Sequence, residues 1–280
     1  MSQKNLFDQV CFDTSRLTAK AYSTSFSFGI RCLEKKLRYP IYSIYGFVRF
    51  ADEIVDTFHE FDKKTLLEEF RQETWKAIDG KISLNPILHS FQLTVNQYNI
   101  DRDLIEQFLR SMEMDLAEKK YNQEGFEKYI LGSAEVVGLM CLQVFCDGNE
   151  SEYKRLKPAA MKLGSAFQKI NFLRDLHADF EGMGRAYFPG IEVDKFDDLN
   201  KKKIEESIAI DFELGYQGIK ELPKGARLGV YVAYLYYKAL FRKIKKLPSE
   251  EVLKSRVRIR NRHKIAILGY SFLKHQFNLI

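Results

Sequence analysis

The sequence has few residues that break helices or build cross-linked frameworks. Only 6 of its 280 residues are proline and 16 are glycine, so turn signals are sparse along the chain. Its four cysteines show neither a Cys-x-x-Cys spacing nor the pattern of a disulfide framework, and its five histidines form no His-x-x-x-His pair. These absences argue against the common zinc sites and predict a reducing, cytoplasmic environment.

Other sequence signals are absent as well. No Gly-x-Gly-x-x-Gly or Gly-Lys-Ser/Thr loop is present, so nucleotide cofactors have no visible phosphate-binding loop. The N-terminal residues lack the apolar core of a signal peptide, and no apolar run approaches the roughly 18 residues of a membrane-spanning helix. No repeat, low-complexity stretch or linker divides the chain, and 45% of its residues are hydrophobic. The sequence therefore predicts one domain over residues 1–280 with a sizeable core.

An apolar stretch at residues 45–56 carries an arginine and three carboxylates where a helix would bury apolar side chains. Four polar residues in it follow at steps of four, three and four, so they project from one helical face: Tyr45, Arg49, Asp52 and Asp56. We call these residues the first acidic face. Two aspartates one turn apart, with an arginine upstream, suit a hydrated divalent cation that holds a phosphate. Carboxylates at this spacing also occur on many solvated helices, so this face alone leaves both interpretations open.

A second stretch, residues 168–179, repeats the pattern. Gln168, Asn171, Asp175 and Asp179 again recur at helical spacing, and we call them the second acidic face. Two acidic faces on separate helices would repel each other unless cations lay between them. The pair therefore indicates metal ions more strongly than either face alone.

Most of the remaining chain shows amphipathic helical patterns with capping residues. The expected helices span residues 8–28, 63–79, 86–98, 126–146, 198–220, 224–246 and 249–277, with further helix starts at Pro40, Asp101, Ser151 and Pro158. Between the second acidic face and residue 190, glycines favour a loop that we expect to act as a lid. In that loop Arg185 and Tyr187 would close over phosphate oxygens.

Three further segments complete a set of five motifs. They are Tyr22-Ser23-Thr24-Ser25-Phe26, the run from Tyr129 through Ala134 to Val137-Gly138, and Gly184-Arg185-Ala186-Tyr187-Phe188-Pro189. The two acidic faces have the forms Tyr-x-x-x-Arg-x-x-Asp-x-x-x-Asp and Gln-x-x-Asn-x-x-Arg-Asp-x-x-x-Asp. Together, these five motifs resemble those of the squalene/phytoene synthase family of head-to-head prenyl transferases. All five occur in the family's order, over nearly the whole chain. Ala178 departs from it, because the family commonly has a carboxylate there.

The resemblance implies a fold and a set of site residues. The expected fold is all-α, a single-domain helical bundle of the isoprenoid-synthase type around a central cavity. The implied metal ligands are Asp52, Asp56, Asn171, Asp175 and Asp179, binding Mg²⁺, with Mn²⁺ as the alternative. Catalysis would use these aspartates and Tyr129, which faces the reacting carbons. The implied substrate-binding residues are Ser23, Ser25, Phe26, Tyr45, Arg49, Gln168, Arg174, Arg185 and Tyr187. Asp115 lies in a Met-x-x-Asp-Leu context that the family often has, although a surface charge is the simpler interpretation.

The activity that the resemblance implies is head-to-head condensation of two prenyl diphosphates. We favour two C20 geranylgeranyl diphosphates giving phytoene through prephytoene diphosphate, because Ile30 would leave room at the channel floor. The alternative is two C15 farnesyl diphosphates giving presqualene diphosphate or dehydrosqualene. We do not expect NADPH to be used, because a nucleotide loop is absent and so is the C-terminal hydrophobic anchor of eukaryotic squalene synthases.

Two other functional classes remain open. Head-to-tail elongation enzymes and terpene cyclases share the diphosphate chemistry, but they typically use Asp-Asp-x-x-Asp, whereas Ala51 precedes Asp52 here. A non-catalytic helical assembly protein of the same fold would be expected to have lost residues of the acidic faces, which this chain retains. The oligomeric state does not follow from the sequence.

The C-terminal third carries an excess of positive charge. From Lys238 to Lys264 there are eleven Lys and Arg against Glu250 and Glu251, a local charge of 11 − 2 = +9, which leaves +6 − 9 = −3 elsewhere. With interleaved Val257, Ile259, Ile265 and Leu268, this face could contact anionic lipid at the inner side of a membrane. A solvated face is the default interpretation, and a nucleic-acid surface, the weaker third one, is not expected.

Overall fold

The computed structural model describes residues 2–117, 121–183, 187–191 and 196–276, and of residues 177–183 and 261 only the backbone. These ranges are helical almost throughout and contain no β-strand, which confirms the all-α expectation. In order, the helices are α1 (Gln3–Tyr22), α2 (Thr24–Arg31), α3 (Lys35–Asp56), α4 (Lys63–Gly80), α5 (Pro86–Tyr98), α6 (Arg102–Ala117), α7 (Gln123–Ile130), a π-helix (Leu131–Glu135), α8 (Val136–Cys146), α9 (Glu150–Met183), α10 (Asp198–Glu221), α11 (Lys224–Lys245), α12 (Ser249–Val252) and α13 (Asn261–Gln276).

Capping residues place several helix starts where the sequence predicts them. The Asp62 carboxylate accepts hydrogen bonds from the amides of Lys64 and Thr65 at the start of α4. The Asn85 side-chain oxygen accepts hydrogen bonds from the amides of Ile87 and Leu88 in the first turn of α5, whose first residue is Pro86. These caps satisfy amides that have no partner inside the helix, so the boundary is locally encoded.

Other helix boundaries differ from the prediction. The expected helix 8–28 breaks at Ser23, whose extended backbone (φ −143°, ψ 102°) ends α1 and whose hydroxyl caps α2 by accepting from the Phe26 amide. Helix α3 begins at Lys35, so Pro40 lies inside it instead of in its first turn. Helix α9 likewise begins at Glu150 and contains Pro158. Its continuation to Met183 makes the start of the predicted lid helical.

The predicted helix 249–277 is interrupted by an extended segment. Helix α12 ends at Val252 and α13 begins at Asn261. Between them, Lys254, Arg256, Arg258 and Arg260 are exposed, while Val257 is buried and Ile259 half-buried. We call residues 254–260 the basic strap. This alternation has the period of two that is typical of an extended chain with one face packed on the protein, not the period of a helix.

The core has two main parts. One is built around α3, α5, α6 and α8, where the ring of Phe47 stacks on that of Phe91 with centroids 3.9 Å apart. The other is built around α7, α9, α10 and α11. At their junction Gly164 brings α9 against the π-helix, because a Cβ there would lie 2.8 Å from the Ala134 carbonyl oxygen. The close approach of these helices therefore requires glycine at this position.

Residues 123–146 are long and apolar enough to cross a membrane by length and composition, which the sequence analysis did not expect. In the fold this segment lies between α3, α6 and α9 and contributes buried residues to both parts of the core. A core helix accounts for its composition.

Candidate active site

A cavity of about 370 Å³ lies between α2, α3, the α7–α8 segment, α9, α10 and α11. Its walls are mostly apolar, and the polar side chains that line it include Arg49, Asp52, Gln168, Asn171 and Tyr237. Residues of both acidic faces therefore line one cavity, although Asp175 is not among the described residues that do so. Tyr45 and Phe26, from the first acidic face and the Tyr22–Phe26 segment, line it too.

The first acidic face is held together within α3. The Arg49 guanidinium lies 2.5 Å from Asp52 Oδ2 (Nη1 to Oδ2), forms a second ion pair with Glu53, and stacks over the Tyr22 ring. Arg49 Nε is buried and has no hydrogen-bond partner among the described residues. Asp56 is half-buried at the end of α3 and lies outside the set of described residues that line the cavity.

The second acidic face receives a contact from far along the chain. Asn171 Nδ2 donates to Gln168 Oε1 at 3.3 Å, and Arg174 pairs with the neighbouring Asp175. Arg256 of the basic strap also reaches Asp175, with Nε 2.7 Å from Oδ1. The sequence analysis did not identify Arg256. The Arg-Val-Arg-Ile-Arg alternation could have indicated an exposed strap, but nothing local indicates where the strap docks.

Some predicted site residues lie outside the described part of the structure. Arg185 is one of them, and for Asp179 only the backbone is described. Their predicted roles stay predictions.

Aromatic side chains connect the two faces. The Tyr237 hydroxyl donates to Asn171 Oδ1 at 3.2 Å, and its ring stacks on Phe167 with centroids 4.0 Å apart. The Phe26 ring lies 5.9 Å from both Tyr237 and Tyr45, between α11 and α3. The sequence analysis missed Tyr237, because a tyrosine among the many of α11 has no distinguishing spacing.

Neither serine of the Tyr22–Phe26 segment is among the described residues that line the cavity, and the two differ in their contacts. The Ser23 side chain is hydrogen-bonded to Tyr45, whose pKa is raised to about 12, chiefly by burial of its hydroxyl. Tyr45 is therefore neutral and available as a hydrogen-bond donor at neutral pH. Ser25 is half-buried and is not among the described residues that line the cavity.

Tyr129 lines the cavity and forms a buried pair with Asp115. Its hydroxyl donates to Asp115 Oδ2 at 2.7 Å, and both residues are buried. Burial first, and then the Asp115 charge, raise the Tyr129 pKa well above its ordinary value. Asp115 is thus a buried partner of a cavity residue, and the surface interpretation of it was wrong.

Tyr187 lies in an aromatic cluster behind Tyr129. Its ring stacks on Phe172 with centroids 3.9 Å apart and lies 5.6 Å from the Tyr129 ring. It is buried, and it is not among the described residues that line the cavity. The Tyr187 ring thus packs in this cluster, and its predicted contact with phosphate stays a prediction.

The donor atoms of both faces suit a hard divalent cation, since they are carboxylate and amide oxygens. In the part of the chain that the structure describes, no three His, Cys, Asp or Glu side chains are grouped to hold a metal ion. Mg²⁺ is usually held by one or two carboxylates together with substrate phosphates. The carboxylates of each face are therefore enough to bind Mg²⁺ with a diphosphate, without a full set of protein ligands. The buried Nε–H of Arg49, which has no partner in the part of the chain that the structure describes, suits a phosphate oxygen.

Comparisons with known proteins agree with this arrangement. The chain is 24% identical over 253 residues to chloroplastic phytoene synthase 1 of Zea mays, covering 83% of this chain and 61% of the relative. It is 28% identical over 176 residues to the presqualene diphosphate synthase of Rhodopseudomonas palustris, covering 60% and 59%. The chain thus spans about three fifths of the length of these relatives.

Solved structures share the fold. A dehydrosqualene synthase crystal structure superposes with a TM-score of 0.80 at 19% identity, covering 95% of this chain and 98% of that one. Squalene synthase HpnC from Alicyclobacillus acidocaldarius superposes with a TM-score of 0.73 at 20% identity, covering 85% and 94%. The sequence model of the family described as squalene/phytoene synthase matches residues 19–263. The chain belongs to the squalene/phytoene synthase family.

Proposed function

We propose that this protein condenses two prenyl diphosphates head to head. The observation that carries the proposal is one apolar cavity with residues of both acidic faces in its wall. A diphosphate needs positive charge and hard cations, whereas a prenyl chain needs an apolar channel, and this cavity offers both. Its large apolar wall also keeps water away from carbocations.

The residues divide into groups with separate tasks. Asp52, Asp56, Asn171, Asp175 and Asp179 would hold Mg²⁺, or Mn²⁺ in its place, and the bound cation would supply charge that stabilises the departing diphosphate. Arg49, Arg174 and Arg256, which pair with Asp52 or Asp175, would donate to diphosphate oxygens once these replace the carboxylates as partners. Gln168 orients Asn171 through its amide oxygen.

The reaction then follows from the cavity's chemistry. Loss of diphosphate from one substrate leaves an allylic cation, which the double bond of the second substrate attacks. Loss of a proton from the resulting cation closes the three-membered ring and gives a cyclopropylcarbinyl diphosphate. A second ionisation, rearrangement and proton loss give a hydrocarbon. The rings of Phe26, Tyr45 and Tyr237 present π faces that stabilise positive charge near the diphosphate. Tyr129 lies farther along the wall, where its hydroxyl can relay a proton to Asp115.

We propose C20 substrates and phytoene as the product. Ile30 lines the cavity on α2, one turn beyond Phe26, and it is smaller than an aromatic residue would be. The name of the Zea mays relative supports this choice. The name of the Rhodopseudomonas palustris relative supports the alternative, two C15 substrates giving presqualene diphosphate or dehydrosqualene.

The proposal includes an unreduced product made without NADPH in the cytoplasm. Incubation of the purified protein with Mg²⁺ and either C15 or C20 diphosphate, followed by chromatography, tests it directly. We expect phytoene, preferentially from the C20 substrate. Formation of neither a cyclopropylcarbinyl diphosphate nor a hydrocarbon from either substrate would refute the activity, and a product that shifts to squalene on adding NADPH would refute the unreduced product.

A further inference from the structure

Helix α13 packs on the bundle through one face and leaves the opposite face uncovered. Ile267 is buried beside Val232 and Tyr236 of α11, and the Tyr236 hydroxyl donates to the Lys264 carbonyl oxygen at 2.9 Å. Ser271 is fully buried on the same side. These contacts fix the rotation of α13, so its other side faces away from the bundle.

The uncovered face is apolar along the helix. Its exposed residues recur at helical spacing and share one side: Ile265, Ala266, Gly269, Phe272 and Leu273. The three large ones are each more than half exposed, at 63%, 59% and 56% for Ile265, Phe272 and Leu273. Single exposed apolar residues are ordinary, but a continuous stripe on one helix is typical of a surface that contacts an apolar phase.

Positive charge surrounds this face. Between residues 252 and 276 there are seven Lys and Arg and no Asp or Glu. The exposed members of the basic strap lead directly into the N-terminus of α13, and Arg262 extends them along its first turn. An apolar stripe bordered by basic residues is complementary to an anionic bilayer surface.

We propose that the outer face of α13 and the basic strap dock the protein on an anionic lipid bilayer, with Ile265, Phe272 and Leu273 in the boundary between headgroups and acyl chains. A nucleic acid would leave the stripe in water. A second copy of this chain would place one basic surface against another. A bilayer matches both the charge and the apolar stripe.

The strap also connects this surface to the second acidic face. Arg256 lies 2.7 Å from Asp175 of the second acidic face, and Val257 anchors the strap in the core. The strap is therefore shared by the proposed lipid surface and the second acidic face. Resting on the proposed function, the bilayer would be the source of the long-chain substrates and would receive the hydrocarbon product.

This surface differs from the one that the sequence predicts. Val257 is buried, and Ile259 and Leu268 pack against the core, so of the four apolar residues expected on the lipid face only Ile265 belongs to it. The packing of α13 against α11 determines which of its side chains form the exposed stripe, and the sequence alone does not give that packing.

Sedimentation with vesicles tests the proposal without substrate. The full chain is mixed with vesicles of phosphatidylcholine alone, or with about one third phosphatidylserine to give a negative surface. We expect binding to the anionic vesicles and weak binding to the neutral ones. Phe272→Glu with Leu273→Glu should lower the partition coefficient by about tenfold or more. Arg258→Gln with Arg262→Gln should lower it by roughly fivefold per charge on anionic vesicles.

Matched controls separate the surface from general effects. Leu84→Glu changes an apolar residue that is even more exposed, at 90%, and Lys202→Gln with Lys203→Gln removes two exposed charges on α10. These controls should bind as the unchanged protein does. Circular dichroism and the melting temperature should be the same in all variants, since the altered side chains are exposed.

Several outcomes would overturn the proposal. It fails if the α13 variants and the unchanged protein bind anionic vesicles equally, or if the unchanged protein does not bind them. It also fails if analytical ultracentrifugation shows a dimer that Phe272→Glu dissociates while vesicle binding is absent, because the occupant is then a second copy. Turnover of detergent-dispersed substrate is measured separately, so failure of the proposed function would leave the vesicle result standing.

Discussion

The two acidic faces differ in where their charges are neutralised. In the first, Asp52 is paired with Arg49, three residues away on the same helix. In the second, Asp175 is paired with its neighbour Arg174 and also with Arg256, 81 residues later in the chain. Among the described residues, the ion pairs of the first face therefore lie within α3, whereas those of the second include one with the docked basic strap. Sites of similar composition can thus depend on the fold to different extents.

The largest expected effect is shared by both faces. We expect Asp52→Asn and Asp175→Asn each to lower kcat/KM by about 100-fold or more, because an amide replaces an anionic oxygen near the diphosphate. Turnover with Mg²⁺ and C20 diphosphate measures this, and circular dichroism checks the fold. Asp103→Asn, at an exposed position on α6, is the control. Near-normal turnover in either variant would contradict the assignment of the faces.

A third carboxylate, Asp115, belongs to neither face and acts through Tyr129. We expect Asp115→Asn and Tyr129→Phe each to lower kcat by about tenfold or more, because a proton-handling hydroxyl loses its partner or is removed. The double variant should be no slower than the single ones, since the two groups act as a unit. Tyr121→Phe, in the neighbouring ring, is the control. Independent, additive losses would show that the pair has no joint role.

The difference between the faces predicts a contrast between their arginines. We expect Arg256→Gln to raise KM by about tenfold, because a charge-assisted hydrogen bond to diphosphate is lost. It should also speed proteolysis within residues 254–260, since one anchor of the strap is removed. Arg49→Gln should lower turnover without changing proteolysis there. Lys254→Gln, on the same strap, is the control. Equal cleavage of all three variants would contradict the expected difference between Arg256 and Arg49.

The smallest expected effect lies deep in the cavity. We expect Ile30→Phe to shift the ratio of C20 to C15 use by about fivefold toward the shorter substrate, because the larger ring fills channel space. Overpacking should cost about 1–3 kcal/mol of the free energy of unfolding. Competition between the two substrates measures the ratio by chromatography. Ile30→Val should leave it near the original value, and an unchanged ratio in Ile30→Phe would show that chain length is limited elsewhere.

The sequence alone determined the helical class, most helix starts and the composition of both faces. Each of these depends on local physics: the spacing of apolar residues, side-chain caps such as Asp62 and Asn85, and the steps of three and four that align Arg49 with Asp52. Such features are encoded within a few residues. They are therefore visible without knowledge of the fold.

Only the tertiary structure decided which distant groups meet. It brought Arg256 to Asp175, Tyr237 to Asn171 and Asp115 to Tyr129, and it turned Tyr187 into a packed core residue. It also ended α1 at Ser23. Between α12 and α13 the chain is not helical, because burial of the Val257 side chain in the core is more favourable than continuing the helix. Contacts between residues far apart in sequence are selected by burial across the whole core, and no local spacing contains that information.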